Sequence, residues 1–456
     1  MRTKAGGEAA ARRMRGAWVL FDWAAQPFYT VILTFIFGPY FVSRVADNPV
    51  EGQALWGAAA AAGGIVIAIL SPVLGAIADQ GGRRMRWIAL FSAALVTGSA
   101  GLWFAVPDAA AGTVYLVLGA FVLAMLGAEF ATVFTNAMLP DIAPPGGVGR
   151  LSGLGWGVGY LGGLVSLFIM LAFIVAAPSS GRTLAGLAPL LPETIPFAGE
   201  RASGPLSGLW YLIFVLPLFA FAPRDTRRQP AAAGFAAALG ALGRSLRSYG
   251  FHSLYIRFLF ARMIYADGLA ALFTFGGVYA ASVFGWGATE LGLFGILLTL
   301  TGAGGAIAGG RADERFGPRR VIVVSLAALA MLGVLALSAG RGHILFLVEV
   351  RPAGEGLFSG PAERFYLIVG ALIGAFAGPV QAASRNVVTR LAQPGRMTEA
   401  FGLFAFSGKA TAFLAPALVA AVTTASGSQS TGIAVIIVFL LAGLALFARI
   451  PIATSR

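Results

Sequence analysis

The chain has no cysteine, which rules out disulfides, thiolate metal sites and cysteine nucleophiles and leaves the redox compartment open. Lysine is almost as scarce: Lys4 and Lys409 are the only two, so arginine carries nearly all the positive charge. Charged residues of all kinds make up 11% of the sequence, against roughly a quarter in a soluble domain, and this excludes the soluble globular class. Histidine occurs twice, at His252 and His343, far apart and both in segments that read as exposed loops. No His-Glu metal motif, phosphate loop or serine elbow is present, so neither a metal nor a cofactor is expected and an embedded enzyme is disfavoured. The net charge of +13 would suit a nucleic-acid partner. The arginines, however, fall in short loops between apolar runs, where they orient helices rather than line a groove.

Apolar residues fill the space that charge leaves, at 58% of the chain, with 62 glycines of the kind that let membrane helices approach closely. Runs long enough to span a bilayer lie at Ala17 to Val42, Gln53 to Ala78, Trp87 to Ala105, Thr113 to Thr135, Leu154 to Ala176 and Gly208 to Phe221. A second set lies at Phe258 to Phe284, Leu291 to Gly310, Val321 to Ala339, Phe365 to Val388, Phe401 to Thr424 and Thr431 to Ala448. The expected protein is therefore an all-α membrane protein of about twelve transmembrane helices in two groups of six. Arg12, Arg13 and Arg15 before the first run resemble the start of a signal peptide. That run contains Asp22 and Gln26 and has no small-residue cleavage site, so it reads as a retained helix. With both termini on the cytoplasmic side, most arginines fall on that side too, as short loops require.

Two turns organise this pattern: GAIADQGGRR from Gly75 to Arg84, and GGRADERFGPRR from Gly309 to Arg320. Each sets an acid (Asp79, Asp313) at the end of one apolar run, then a glycine (Gly82, Gly317), then an arginine pair (Arg83 and Arg84; Arg319 and Arg320) before the next run. So few residues between two spans make a helical hairpin with its turn at the cytoplasmic face. Between the two groups lies 222–257, where Phe235, Leu239, Leu242 and Leu246 recur at helical spacing beside Arg244 and Arg247. This reads as an amphipathic helix on the inner membrane surface, or a solvated linker. It separates an N-terminal six-helix bundle, 1–221, from a C-terminal one, 258–456. Outside these, the longer loops Ala177 to Ser207 and Gly340 to Glu363 are too short for a catalytic domain.

Ionisable residues inside spans are costly, and hence functional candidates. Asp22, Glu129, Asp267 and Lys409 all lie within about ten positions of a cytoplasmic helix end, or roughly 10–15 Å into the membrane. This depth agreement points to one polar layer. A buried acid beside a cation can load and release a proton, so these four are the proton-coupling candidates, with Lys409 as the switchable partner of an acid. An ion-pair lock between helices is the alternative. Arg262 and Arg385 are long enough to snorkel to the inner headgroups and rank lower. Pro27, Pro72 and Pro379 are candidate kinks, and the glycines of GLGWGVGYLGG (Gly153 to Gly163) a packing surface or hinge.

The spacing G-x-x-x-D-x-x-G-R-R of the first turn resembles the loop between the second and third helices of the major facilitator superfamily. FDWAAQPFYTVILTFIFGPYF, GRLSGLGWGVGYLGGL, YADGLAALFTFGGVYA and GPVQAASRNVVTRLAQPGRMTEAFGLFAFSGKATAFLAP resemble its vacuole-effluxer-like branch. The resemblance implies two pseudo-symmetric six-helix bundles around a central cavity lined by the first, fourth, seventh and tenth helices. On this chain the implied lining is Asp22, Gln26 and Tyr29; Glu129 and Asn136; Tyr265 and Asp267; Gln381 and Arg385. In that arrangement Asp79 would cap the start of the eleventh helix, whose N-terminus attracts an acid, and Asp313 would act likewise toward the fifth. Fungal members are associated with amino-acid export from the vacuole. The expectation is a proton-coupled secondary transporter of a small polar solute in a bacterial inner membrane, working as a monomer. Export of amphipathic or toxic compounds is the alternative within transport, and a sensor is disfavoured because no soluble signalling domain follows the last run.

Overall fold

The computed structural model describes residues 2–81, 84–177, 181–192, 194–222, 240, 243, 247, 249–250, 252–354 and 356–452. Among them, twelve helices are long and apolar enough to cross a membrane: α1 (Gly7–Val45), α2 (Pro49–Gly81), α3 (Arg84–Phe104), α4 (Ala111–Asn136), α5 (Val148–Ile174), α6 (Ala198–Phe221), α7 (Leu254–Phe284), α8 (Thr289–Phe316), α9 (Pro318–Leu337), α10 (Pro361–Leu391), α11 (Met397–Ser426) and α12 (Gln429–Ala448). Helices satisfy every backbone group internally, which hydrocarbon surroundings demand. A two-stranded hairpin, β1 (His343–Ile344) with β2 (Val348–Glu349), joins α9 to α10. Of the expected surface helix, Phe235, Leu239, Leu242, Arg244 and Leu246 lie outside the described residues, as do Gly82 and Arg83 of the first turn.

Burial follows the membrane setting. Ile65, Leu116, Phe168, Val324, Met331 and Val438 are all more than half exposed on spanning helices, while Ser71, Ser99, Asp267, Arg385 and Asn386 are buried. A water-facing surface would not carry so many large apolar side chains.

Three details depart from the apolar runs. The sixth helix begins at Ala198 rather than at Gly208, and Arg201 is accommodated in place: its Nε donates to the Trp103 carbonyl at 3.0 Å, and its guanidinium lies over the Trp103 ring at 4.7 Å. The eleventh is two helices, Met397–Lys409 and Leu414–Ser426, separated by turn residues 410–413. Of the three prolines expected to kink, only Pro27 marks a change of helix type, since π-helical Phe28–Phe35 follows it; Pro72 and Pro379 lie inside continuous α-helices.

The chain forms two compact units. The first comprises Met1–Ile142, Val158–Leu242 and Pro394–Ala405; the second comprises Ala143–Gly157, Gly243–Gln393 and Phe406–Arg456. In the first, α1 packs on α6, α2 on α4, and α3 on α4. In the second, α7 packs on α12, α8 on α10, and α9 on α10. These are the same pairings shifted by six helices, as expected of a repeat. The start of α5 belongs to the second unit and the start of α11 to the first, so two helix starts are exchanged relative to the 1–221 and 258–456 halves.

Candidate functional site

In the first unit the polar candidates of α1 and α4 meet. The Tyr29 hydroxyl is hydrogen-bonded with the side chains of Glu129 and Thr132, and Asp22 lies within electrostatic reach. Glycine on α5 lets α1 come close to that helix as well. A Cβ at Gly159 would lie 3.2 Å from the Asp22 Cβ, and one at Gly163 only 2.7 Å from the Gln26 Cγ. Asn136 ends α4 and is buried next to Thr135, whose carbonyl accepts the Trp18 indole N–H at 2.8 Å.

The described residues of the first arginine turn also lie within this unit. Asp79 accepts the backbone N–H of Thr398 on Oδ1 at 3.1 Å and of Glu399 on Oδ2 at 2.9 Å, so it occupies the N-terminus of α11. The free amides and helix dipole there favour an anion. Gly75 is what lets the helices meet: a Cβ there would come within 2.5 Å of the Thr398 carbonyl oxygen and 2.8 Å of the Glu399 Cα. Arg84 ties the rest together. Its Nε donates to Thr398 Oγ1 at 3.1 Å, its Nη1 to the Ala137 carbonyl at 3.2 Å and to Asp141 Oδ2 at 2.7 Å, and its Nη2 lies 3.6 Å from Asp79.

A separate recess of roughly 700 Å³ in this unit lies at the far ends of α1 and α5 and the start of α6, with Ser43, Arg44 and Glu200 among its lining residues. It does not include Asp22, Tyr29 or Glu129.

In the second unit Asp267 is 2% exposed near the middle of α7, its Oδ2 has no hydrogen-bond partner among the described residues, and Arg262 and Thr411 lie beside it. Arg262 does not snorkel: its Nη1 donates to Ser407 Oγ at 2.7 Å. Nor does Arg385, which is buried with its guanidinium over the Trp156 ring at 4.8 Å. Lys409 closes the first half of α11, where a cation suits the negative end of the helix dipole. Arg262 is a cation beside Asp267. Tyr265 turns away into the unit's core, with its hydroxyl 2.7 Å from Ser384 Oγ and its ring edge-on to Phe447. Gln381 is half-buried on α10.

The second arginine turn is built differently. Asp313 is 1% exposed and accepts from Asn386 Nδ2 at 2.8 Å, while its Oδ2 has no partner among the described residues. It lies against the first turn of α5, where a Cβ on Gly149 would stand 2.6 Å from its Cγ. It is Gly310 that approaches α5 at Gly149 and Gly153, whereas Gly309 meets Pro379 on α10. Gly317 has φ +80°, a conformation that favours glycine, and Pro318 opens α9. Arg319 leaves the acid and holds the end of α12, donating to the carbonyls of Ala448 and Ile450 at 2.6 and 3.0 Å. Arg320 is exposed.

Residue type alone gave no pointer to Thr398, Asn386, Ser407, Thr411 or Trp156; their roles follow from long-range packing. Among the described residues, no group of three or more His, Asp or Glu side chains could hold a metal ion.

Twelve spans paired identically in two sets are the fold of a major facilitator transporter. The human organic anion transporter MFSD10 superposes with a TM-score of 0.70 at 16% identity, covering 96% of this chain and 99% of that one. The proton:xylose symporter XylE superposes with a TM-score of 0.69 at 14% identity, over 98% and 97%. Within that fold the chain belongs to the family described as vacuole effluxer Atg22 like, whose sequence profile matches residues 148–456. It is 25% identical to the MFS-type transporter YxiO of Bacillus subtilis over 97% of this chain and 96% of that protein. It is also 25% identical to autophagy-related protein 22 of Cryptococcus neoformans, over 67% of this chain but only 51% of the fungal protein.

Proposed function

We propose that the chain is a proton-coupled secondary transporter of small polar solutes, with amino acids the first class to test, working as a monomer by alternating access in a bacterial inner membrane with both termini in the cytoplasm. The observation that carries this is Asp267: a carboxylate buried near the middle of a spanning helix, one oxygen without a hydrogen-bond partner among the described residues, with Arg262 alongside. Such an acid can hold a proton in one state and pair with the arginine in another. Asp22, Glu129 and Lys409 share the coupling, and Gln26, Tyr29, Asn136, Gln381 and Arg385 contact the solute. The Asp79 cap on α11 and the Asp313 contact with α5 release and re-form as access changes sides. The family's description as an effluxer supports outward movement.

The test is uptake of a panel of labelled amino acids into proteoliposomes with an imposed proton gradient. Accumulation above equilibrium is expected. Asp267→Asn should abolish it while leaving solute exchange intact, because the amide stands in for the protonated acid. Wild-type transport that ignores the gradient would remove the proton role; exchange of amphipathic compounds but of no amino acid would remove the substrate class.

A further inference from the structure

The hairpin between α9 and α10 has no part in the transport reading. Its strands pair His343 with Glu349 and Ile344 with Val348, which leaves Leu345, Phe346 and Leu347 as the tip. A water-facing tip of this size is ordinarily built from glycine, asparagine or aspartate, because φ is positive there. Here Leu345 and Phe346 adopt φ of +53° and +65° with full side chains, a conformation that β-carbon-bearing residues resist. All three tip residues are exposed, Leu347 to 89%, and Val348 beside them to 48%. The backbone therefore holds four consecutive apolar side chains outward against its own local preference.

The tip is firmly placed. The Phe346 N–H donates to the Ser338 carbonyl at the end of α9 at 3.1 Å, and the Val350 N–H donates to Gly342 at 2.9 Å. Arg341 Nε donates to the Val283 carbonyl near the end of α7 at 2.7 Å. The tip thus sits level with the helix end remote from the arginine turn that opens α9. On α9, the exposed Val324, Met331 and Val334 lie on one face at helical spacing, and the tip is held at the end of that helix through the backbone of Ser338, whose side chain is buried. Arg351 and the exposed Arg341 flank it, as cations flank apolar anchors at a headgroup layer.

We infer that the Leu345–Val348 tip inserts into the headgroup–acyl boundary of the bilayer on the face opposite the arginine turns, and so anchors the end of α9. The absence of cysteine makes the test clean. In the full chain Leu347→Cys gives a single thiol for a nitroxide, to be read in phosphatidylcholine–phosphatidylglycerol proteoliposomes by collision with oxygen and with a water-soluble nickel chelate. Met331→Cys serves as the lipid-exposed reference and Asp47→Cys as the water-exposed one. The expected oxygen-to-nickel ratio at position 347 is severalfold above that at 47 and close to that at 331. A ratio matching position 47 would overturn the inference by placing the tip in water. Low collision with both reagents would overturn it too, by showing that protein covers the tip.

Discussion

The two arginine turns share one sequence pattern and give their acids different partners. Asp79 has both oxygens occupied by backbone amides at a helix N-terminus, and Arg84 stands beside it. Asp313 is buried as deeply but, among the described residues, takes a single hydrogen-bond donor, the Asn386 amide, with Arg390 in electrostatic reach, and Arg319 has gone to the end of α12 instead. The second turn has one extra residue between acid and glycine, and Pro318 between its glycine and its arginine pair. The comparison teaches that an acid-glycine-arginine turn specifies where a carboxylate is delivered, while the helix that receives it decides whether the charge is satisfied. The first turn is a cap; the second is a buried acid with an open oxygen.

The largest effect should come from crowding the helix contacts of the two acids. An added Cβ at Gly75 meets backbone, the Thr398 carbonyl and the Glu399 Cα, which cannot move without displacing α11. At Gly149 the nearest atoms belong to the Asp313 side chain: its Cγ and Oδ2 can turn aside, while its Cβ at 2.8 Å moves only with α8. Gly75→Ala is expected to destabilise by about 1–3 kcal/mol and to slow transport, and Gly149→Ala by less than that, about 1 kcal/mol. Thermal unfolding of the purified variants measures both. Equal losses would show that the contact at Gly149 is as rigid as that at Gly75.

Next in size is the loss of the charges themselves. Asp79→Asn keeps one acceptor of two and removes the anion from the helix start, for an expected cost of about 1–2 kcal/mol. Asp313→Asn retains an oxygen for Asn386 and removes a charge that is only half satisfied, so its stability should change by less than about 0.5 kcal/mol or rise. The same unfolding measurement separates them: a loss at Asp313→Asn as large as at Asp79→Asn would mean that the two acids are equally well paired and the comparison fails.

How far these differences could be read in advance depends on range. Hydropathy placed all twelve spans, because a bilayer imposes length and composition directly. It missed the first turns of α6, where Glu200, Arg201 and Pro205 look like a loop until Trp103 is seen to receive the arginine. It also missed the break after Lys409, since residues 410–413 contain neither glycine nor proline. In the polar layer, helical geometry already argued against placing Tyr265 and Asp267 together, for residues two apart stand about 200° apart around a helix. The structure sends Tyr265 to Ser384 and leaves Asp267 with Arg262. Asn386 as the partner of Asp313 lies 73 positions away, and no local pattern reports a contact of that range.

The smallest effect should arise where the geometry looks strongest. Arg84 Nη1 meets Asp141 Oδ2 at 2.7 Å, shorter than any contact Asp79 makes, yet the Asp141 side chain is 65% exposed. Water screens that pair and competes for both partners, so an exposed bridge contributes about 0–1 kcal/mol whatever its length. Arg84 also keeps Thr398 Oγ1 and the Ala137 carbonyl when Asp141 is neutralised. Asp141→Asn should therefore shift stability by no more than about 0.5 kcal/mol, and raising the salt concentration should erase even that. The loss at Asp79→Asn should persist in salt, because its side chain is only 4% exposed and its donors are the backbone of a helix start. A salt-insensitive loss at Asp141→Asn matching that at Asp79→Asn would move the centre of the first turn from the helix cap to the ion pair.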